Sequence, residues 1–192
     1  MIRISKALAL VAVLALAACY PPVTLHPIGT TAGVQQDPVL SGTWKGTDAQ
    51  GKPGYVHFLA RDNGAATMVV LLPAQGSGDV VIAVVTSVRF GHFGYLNARL
   101  TEANGEELKD QPPGTVPVLY RLDAKGTLTL ALMDETATKA AIAAGRIKGT
   151  AEKGETGDAV ITADPKALDA FFASPAAAAL FAAPFFTLHK VD

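Results

Sequence analysis

The chain has a single cysteine, Cys19, in 192 residues. One thiol has no intramolecular partner, so no disulfide framework can hold the domain, and no cysteine metal cluster can form. Charge is sparse: 17% of residues are charged and the formal net charge is −1. With no basic excess, a polybasic nucleic-acid or membrane-surface binder is excluded. The four histidines, His26, His57, His92 and His189, lie far apart without ligand spacing. No metal site is expected from them, and ordinary surface or edge roles suffice. The chain also lacks a phosphate loop and a dinucleotide fingerprint, so no cofactor is expected. Ser77, in Gly76-Ser77-Gly78, lacks the strand-then-helix context of a nucleophile elbow. No catalytic residue emerges. Beyond residue 18 no apolar run is long enough to span a bilayer as a helix.

What the chain does have begins at its N-terminus. Arg3 and Lys6 precede an unbroken apolar run, Ala7 to Ala18, of twelve residues. That length suits a signal-peptide core and falls short of the roughly 20 residues of a membrane-spanning helix. The run ends in small residues, Ala17 and Ala18, directly before Cys19. Leu16-Ala17-Ala18-Cys19 resembles the lipobox of bacterial lipoproteins. The resemblance implies cleavage before Cys19, acylation of its sulfur and then of its new amino group. Two or three acyl chains make desorption slow, because each buried CH₂ contributes roughly 0.8 kcal/mol. In that family Asp directly after the Cys commonly retains the protein at the inner membrane. Tyr20 stands there, which implies the outer membrane of the cell envelope.

Residues 19–40 read as a lipidated cysteine and flexible tether. Pro21, Pro22, Pro27 and Pro38 accompany Gly29 and Gly33, and no apolar period is sustained. A coil of about 20 residues has a span of roughly 25 Å. Residues 41–192 read as one domain, long enough to bury a core.

Short apolar runs punctuated by turn residues dominate that domain. Tyr55–Arg61 and Ala66–Leu72 flank Asp62-Asn63-Gly64, a hairpin signal. Asp79–Phe90 is a long β-branched strand. In Tyr95–Leu100, Tyr95, Asn97 and Arg99 share one side, and Leu96, Ala98 and Leu100 the other. Thr101–Thr115 is the longest gap and reads as a solvated acidic hairpin tip. Pro117–Leu122 and Thr127–Met133 form another hairpin, with Leu128, Leu130 and Leu132 on one face. Asp134 caps a helix that Gly145 stops. A hairpin follows around residues 153–157. Asp164-Pro165 and Ser174-Pro175 then start two helices, with Phe171 and Phe172 on a packing stripe. Phe185, Phe186 and Leu188 lie beyond Pro184 and read as core that plugs or braces the sheet.

The expected fold class is mainly β with accessory helices. An antiparallel meander closes or half-closes into a barrel, and the C-terminal helices pack on it. Gly42-Thr43-Trp44 is similar to the G-x-W of lipocalins, which implies a lipocalin-like barrel whose closed end is plugged by Trp44. The overall pattern also resembles uncharacterised exported bacterial lipoproteins, a likeness that implies no activity.

The candidate ligand-binding residues are Arg99, Arg121 and Trp44. Each arginine has apolar neighbours on a strand, and two such cations suit an anionic ligand. The competing reading puts both on the solvent face. The expected function is a noncatalytic binding or structural module of the envelope, held at the membrane by Cys19. Its partner would be a small apolar or anionic ligand or an envelope protein, and not nucleic acid. The alternative is a periplasmic hydrolase whose site is not visible in the sequence.

Overall fold

The structure, a computed structural model, describes residues 21–33, 36–61, 65–72, 79–109, 113–151, 159–181 and 183–191. Cys19, Tyr20, the Asp62–Gly64 turn, Ser77 and the 153–157 turn lie outside the described residues.

The strands in chain order are β1 (Val23–Thr24), β2 (Gly42–Asp48), β3 (Pro53–Ala60), β4 (Ala66–Leu72), β5 (Asp79–Phe90), β6 (Phe93–Ala103), β7 (Glu106–Glu107), β8 (Val116–Leu122) and β9 (Thr127–Leu132). Helix α1 (Glu135–Ala143) precedes β10 (Gly149–Ala151) and β11 (Ala159–Ile161). Helices α2 (Pro165–Phe172) and α3 (Pro175–Ala178) precede β12 (Phe186–Lys190).

Eight strands close an antiparallel barrel in the order β2-β3-β4-β5-β6-β8-β9-β12, with β12 returning to β2. The barrel is therefore an up-and-down meander whose last strand comes from the far C-terminus. The extra strand β7 pairs with β6 alone. The described part of 101–115 thus fits the expected acidic hairpin tip, with β7 folded back on β6. Asn104 and Gly105 both take positive φ, +52° and +81°, as a two-residue Asn-Gly turn requires.

Side-chain alternation divides the apolar residues into two cores. Inside the barrel lie Trp44, Val56, Phe58, Met68, Val85, Leu96, Tyr120, Leu128, Leu130, Phe186 and Leu188. Each fully buried large apolar side chain contributes roughly 1.5–3 kcal/mol. Outside, Val88, Tyr95, Leu119 and Met133 on the wall pack with Leu168 and Phe172 of α2, and with Leu180. The helices thus cover one flank of the barrel. Their starts follow the expected chemistry: Asp134 and Asp164 accept from the backbone N–H three residues on. The assignment of Tyr95, Asn97 and Arg99 to one face of β6 holds, as does the inward Leu128–Leu130–Leu132 face.

Phe186 and Leu188 are core, as expected, and a strand the sequence pattern did not announce, β12, holds them there. One expectation needs correction: residues 21–33 and 36–40 are not a free tether. Val23, Thr24, Ile28 and Leu40 are all buried. β1 pairs in parallel with β11, and Thr24 exchanges two backbone hydrogen bonds with Thr115, both 2.9 Å. The segment then crosses the outer wall as a strap. Asn97 Nδ2 donates to Ile28 O (2.9 Å), and Ile28 N donates to Asn97 Oδ1 (2.7 Å). Gly29 (φ +89°) sits so close that a Cβ there would lie 2.6 Å from Val88. Asp169 on α2, 6% exposed, accepts from Gly29 N (2.6 Å), Thr31 N (2.9 Å) and Thr31 Oγ1. The residues are too irregularly spaced to show an apolar period, yet the domain buries them individually.

A buried carboxylate holding two backbone amides cannot be removed cheaply, because the amides lose their partners. Asp169→Ala is expected to lower stability by about 2–3 kcal/mol in urea unfolding. A loss under about 0.5 kcal/mol, the range of ordinary surface substitutions, would show that the strap is not held this way.

Candidate functional site

The barrel has two ends. At the Trp44 end, β2, β4, β6 and β9 begin, and β3, β5, β8 and β12 finish. At the other, the Phe186 end, the directions reverse. The 3-10 turn Pro38–Leu40 brings the strap over the rim at the Trp44 end and drops Leu40 into the interior. Trp44 lies beneath it, 2% exposed, and donates from Nε1 to Leu40 O at 2.7 Å. Lys190 Nζ stands 5.7 Å from the centre of its ring. Trp44 therefore closes this end of the barrel. It is a closing residue and offers no open ligand surface.

The lumen is filled. A void there measures ≈ 10 Å³, bounded by Leu40, Phe58, Ala66, Val85 and Leu96 among others. That is room for a water molecule at most. An apolar ligand inside the barrel would have to displace core side chains.

The larger recess lies on the rim beside the strap. It measures ≈ 250 Å³ and is lined by Gly33, Gln36, Asp37, Ser87, Arg89 and Tyr120, among others. Three of these side chains form one cluster. Asp37 Oδ2 accepts from Arg89 Nε at 2.5 Å and from the Tyr120 hydroxyl at 2.7 Å. The Arg89 guanidinium lies 5.5 Å from the centre of the Tyr120 ring. Asp37 N donates to Ser87 Oγ at 2.6 Å, and Val39 N donates to Asp37 Oδ1 at 3.1 Å. The Tyr120 ring has room because its cross-strand partner is Gly94; a Cβ there would sit 2.2 Å from Tyr120 Cζ.

The side chains of Asp37 and Arg89 are 14% and 49% exposed. Burial opposes the Asp37 charge, but hydrogen bonds from Tyr120 and Arg89 outweigh it, so the carboxyl stays below the usual carboxylate range. Arg89 is raised, chiefly by its bond to Asp37, against a desolvation cost. Tyr120 is raised well above an ordinary phenol, first by burial and then by the bond to Asp37. Both groups that could exchange a proton are thus pushed away from neutrality. General acid–base catalysis works best with pKa values near the working pH, so the cluster is poorly suited to it. Arg89 keeps binding capacity: a guanidinium has five N–H donors, and its bond from Nε uses one.

The arginines singled out in the sequence do not converge. Arg99 and Arg121 both lie exposed on the outer wall. Leu119, two residues before Arg121, is paired with Tyr95, which leaves Arg121 beside Phe93, about 20 Å along β6 from Arg99. The Arg121 guanidinium rests 5.4 Å from the Phe93 ring centre. Buried Tyr95 and Asn97 stand between the two arginines. The solvent-face reading holds for both. His57 is on β3, where Nδ1 lies 2.9 Å from Thr43 Oγ1, and His92 is in the exposed turn between β5 and β6. Among the described residues no group of three potential metal ligands occurs, and no helix is long and apolar enough to cross a membrane.

The sequence reading missed Asp37 and Arg89 as a pair, because Asp37 was assigned to the tether. No local spacing signals a contact that spans 52 residues. No family model matches the chain, and no curated protein or solved structure does.

Two predictions follow from this end of the barrel. Trp44→Ala is expected to cost roughly 3–5 kcal/mol, as for other buried large aromatics. Native Trp44 fluorescence should be blue-shifted and move red on unfolding; a red, iodide-quenched native emission would place the ring at the surface.

The other concerns pH. Asp37, with its depressed pKa, contributes stability above about pH 4 that is lost as pH falls through its folded value. The tyrosines act at the opposite extreme. Burial pushes Tyr95 up to about 12, with Arg121 pulling the other way. Tyr95 and Tyr120 therefore contribute stability that is whole below about pH 10 and fades above it. Tyrosinate absorbance from these two rings should appear together with loss of structure in an alkaline titration. Free, reversible ionisation near pH 10 with the fold intact would contradict their burial. The Tyr95 hydroxyl is buried without a hydrogen-bond partner among the described residues, so Tyr95→Phe should be neutral or stabilising and should move the alkaline transition upward.

Proposed function

We propose that the chain is a lipid-anchored protein of the bacterial cell envelope, working as a noncatalytic binding or structural module. Cys19 is the anchor, and the outer membrane is its place because Tyr20 follows it. The anchor reading rests on the leader, where charge, apolar length, small residues and cysteine occur in order. The observation that carries the binding reading is the packed lumen beside an open rim recess at Asp37, Arg89 and Tyr120, a concave surface among the described residues. Basic residues outnumber acidic ones among the described residues of that end: Arg61 and Arg121 are exposed on the wall and Lys125 in a turn that also carries Asp123, while Lys190 covers Trp44. The ligand that suits such a rim is anionic, a small molecule or an acidic group on an envelope component. The displaced pKa values of Asp37 and Tyr120 favour this reading over hydrolysis.

Expression in a Gram-negative host with radiolabelled palmitate tests the anchor. The wild type should take up label and sediment with membranes. Cys19→Ser should lose the label and either stall unprocessed or be released. A labelled Cys19→Ser protein would refute the assignment.

A further inference from the structure

The anchor and the strap together fix how the domain stands on the membrane. Only Tyr20 separates Cys19 from Pro21, where the described chain starts. Two residues reach about 7 Å at full extension. A mobile tether of 20 residues would have spanned roughly 25 Å, but that length is bound to the domain as the strap.

The point where the strap starts is equally fixed. Pro22 is buried, and Val23 joins the interior core. Val23 pairs with Val160, and Thr24 with Thr115, next to the start of β8 at the Phe186 end. The opposite end, at Leu122, is about 24 Å further along β8.

We infer that the bilayer surface lies against the Phe186 end of the barrel, beside β1, β11 and β10, so that the Asp37–Arg89 recess faces away from the membrane. The inference rests on the anchor reading above and adds an orientation to it. Covalent attachment supplies the force. The exposed carboxylates of Glu106 and Glu107 at this end have no attraction for anionic headgroups, so charge alone would not seat it there. A recess on the far side is open to envelope components beyond the bilayer surface. A recess on the near side would have met lipid headgroups only.

Two positions read the orientation. Ala151 is exposed and pairs with Ala159, one residue before Val160. It is thus about two strand spacings, roughly 10 Å, from β1. Lys125 is exposed in the turn at the Trp44 end. Ala151→Cys and Lys125→Cys, made separately in the full chain, give one labelling thiol each, because acylation consumes Cys19. After export, each is labelled with a fluorophore and reconstituted into phosphatidylcholine vesicles carrying headgroup nitroxides.

The label at residue 151 should be quenched several-fold more than the label at residue 125. Equal quenching in palmitate-labelled protein, or stronger quenching at residue 125, overturns the orientation while the anchor stands. Protein that takes up no palmitate and stays soluble overturns the anchor reading, and the orientation with it. Palmitate uptake is read on the same samples, so the two failures are distinct.

Discussion

Closure of the barrel depends on one strand that arrives last. β12 has five residues, Phe186–Lys190, and pairs with β2 on one side and β9 on the other. Without it, β2 and β9 would be open edges, and exposed edges invite pairing with other chains. The chain must therefore store everything between β9 and β12 outside the barrel. That excursion holds three helices and the hairpin of β10 and β11, and its apolar faces need a surface. The outer wall of β5, β6, β8 and β9 provides it through Val88, Tyr95, Leu119 and Met133. The second core is thus a consequence of closing the first with a C-terminal strand. Folding has to bring Phe186 back to Leu130, a non-local contact, and such contacts slow folding.

The strap depends on that second core in turn. Asp169 belongs to α2, and α2 lies on the wall because of the excursion. Its carboxylate receives amides from Gly29 and Thr31, which makes the N-terminal segment part of the domain. Asn97 does the same from the barrel wall, donating to and accepting from Ile28. These polar groups are satisfied in burial, and breaking one partner strands the other. The strap then delivers Asp37 to the rim, where Arg89 and Tyr120 meet it. The recess exists only where three remote pieces of chain are held together.

Local pattern was legible where it decides structure by itself. The alternation in Tyr95–Leu100 and Thr127–Met133 grouped the residues of each face correctly. Asp134 and Asp164 announced their helices as caps, and Trp44 was read as a plug. Other features have no local pattern. Phe185-Phe186 followed by Leu188 looks like a loose aromatic cluster, and only the empty position between β2 and β9 makes it a strand. Proline and glycine in residues 21–40 suggest a tether by composition. Val23, Ile28 and Leu40 are each buried against a different part of the domain, so no period links them. Asn104-Gly105 was a signal in plain view, hidden by the acidic residues around it. Arg99 and Arg121 share a face of the wall, but alternation says nothing about distance along it, and so they were paired in thought and not in space.

A filled barrel moves any function to its outside, and here the outside is not uniform. A closed barrel of eight strands can be wide enough for one small ligand, yet a void of ≈ 10 Å³ holds none. One flank is occupied by the helices and the strap together. The remaining differentiated surface is the Trp44 rim, where a carboxylate and a phenol both sit far from neutral pKa values beside a half-exposed guanidinium. Such groups do not trade protons at physiological pH. They keep fixed charges and fixed hydrogen-bond roles, and fixed roles suit recognition. Asp37 limits the recognition it permits. By neutralising Arg89 it removes an indiscriminate pull on any anion, while the donors beyond Nε retain their direction. A ligand must then match the geometry of those donors, since net charge at the recess will not attract it strongly.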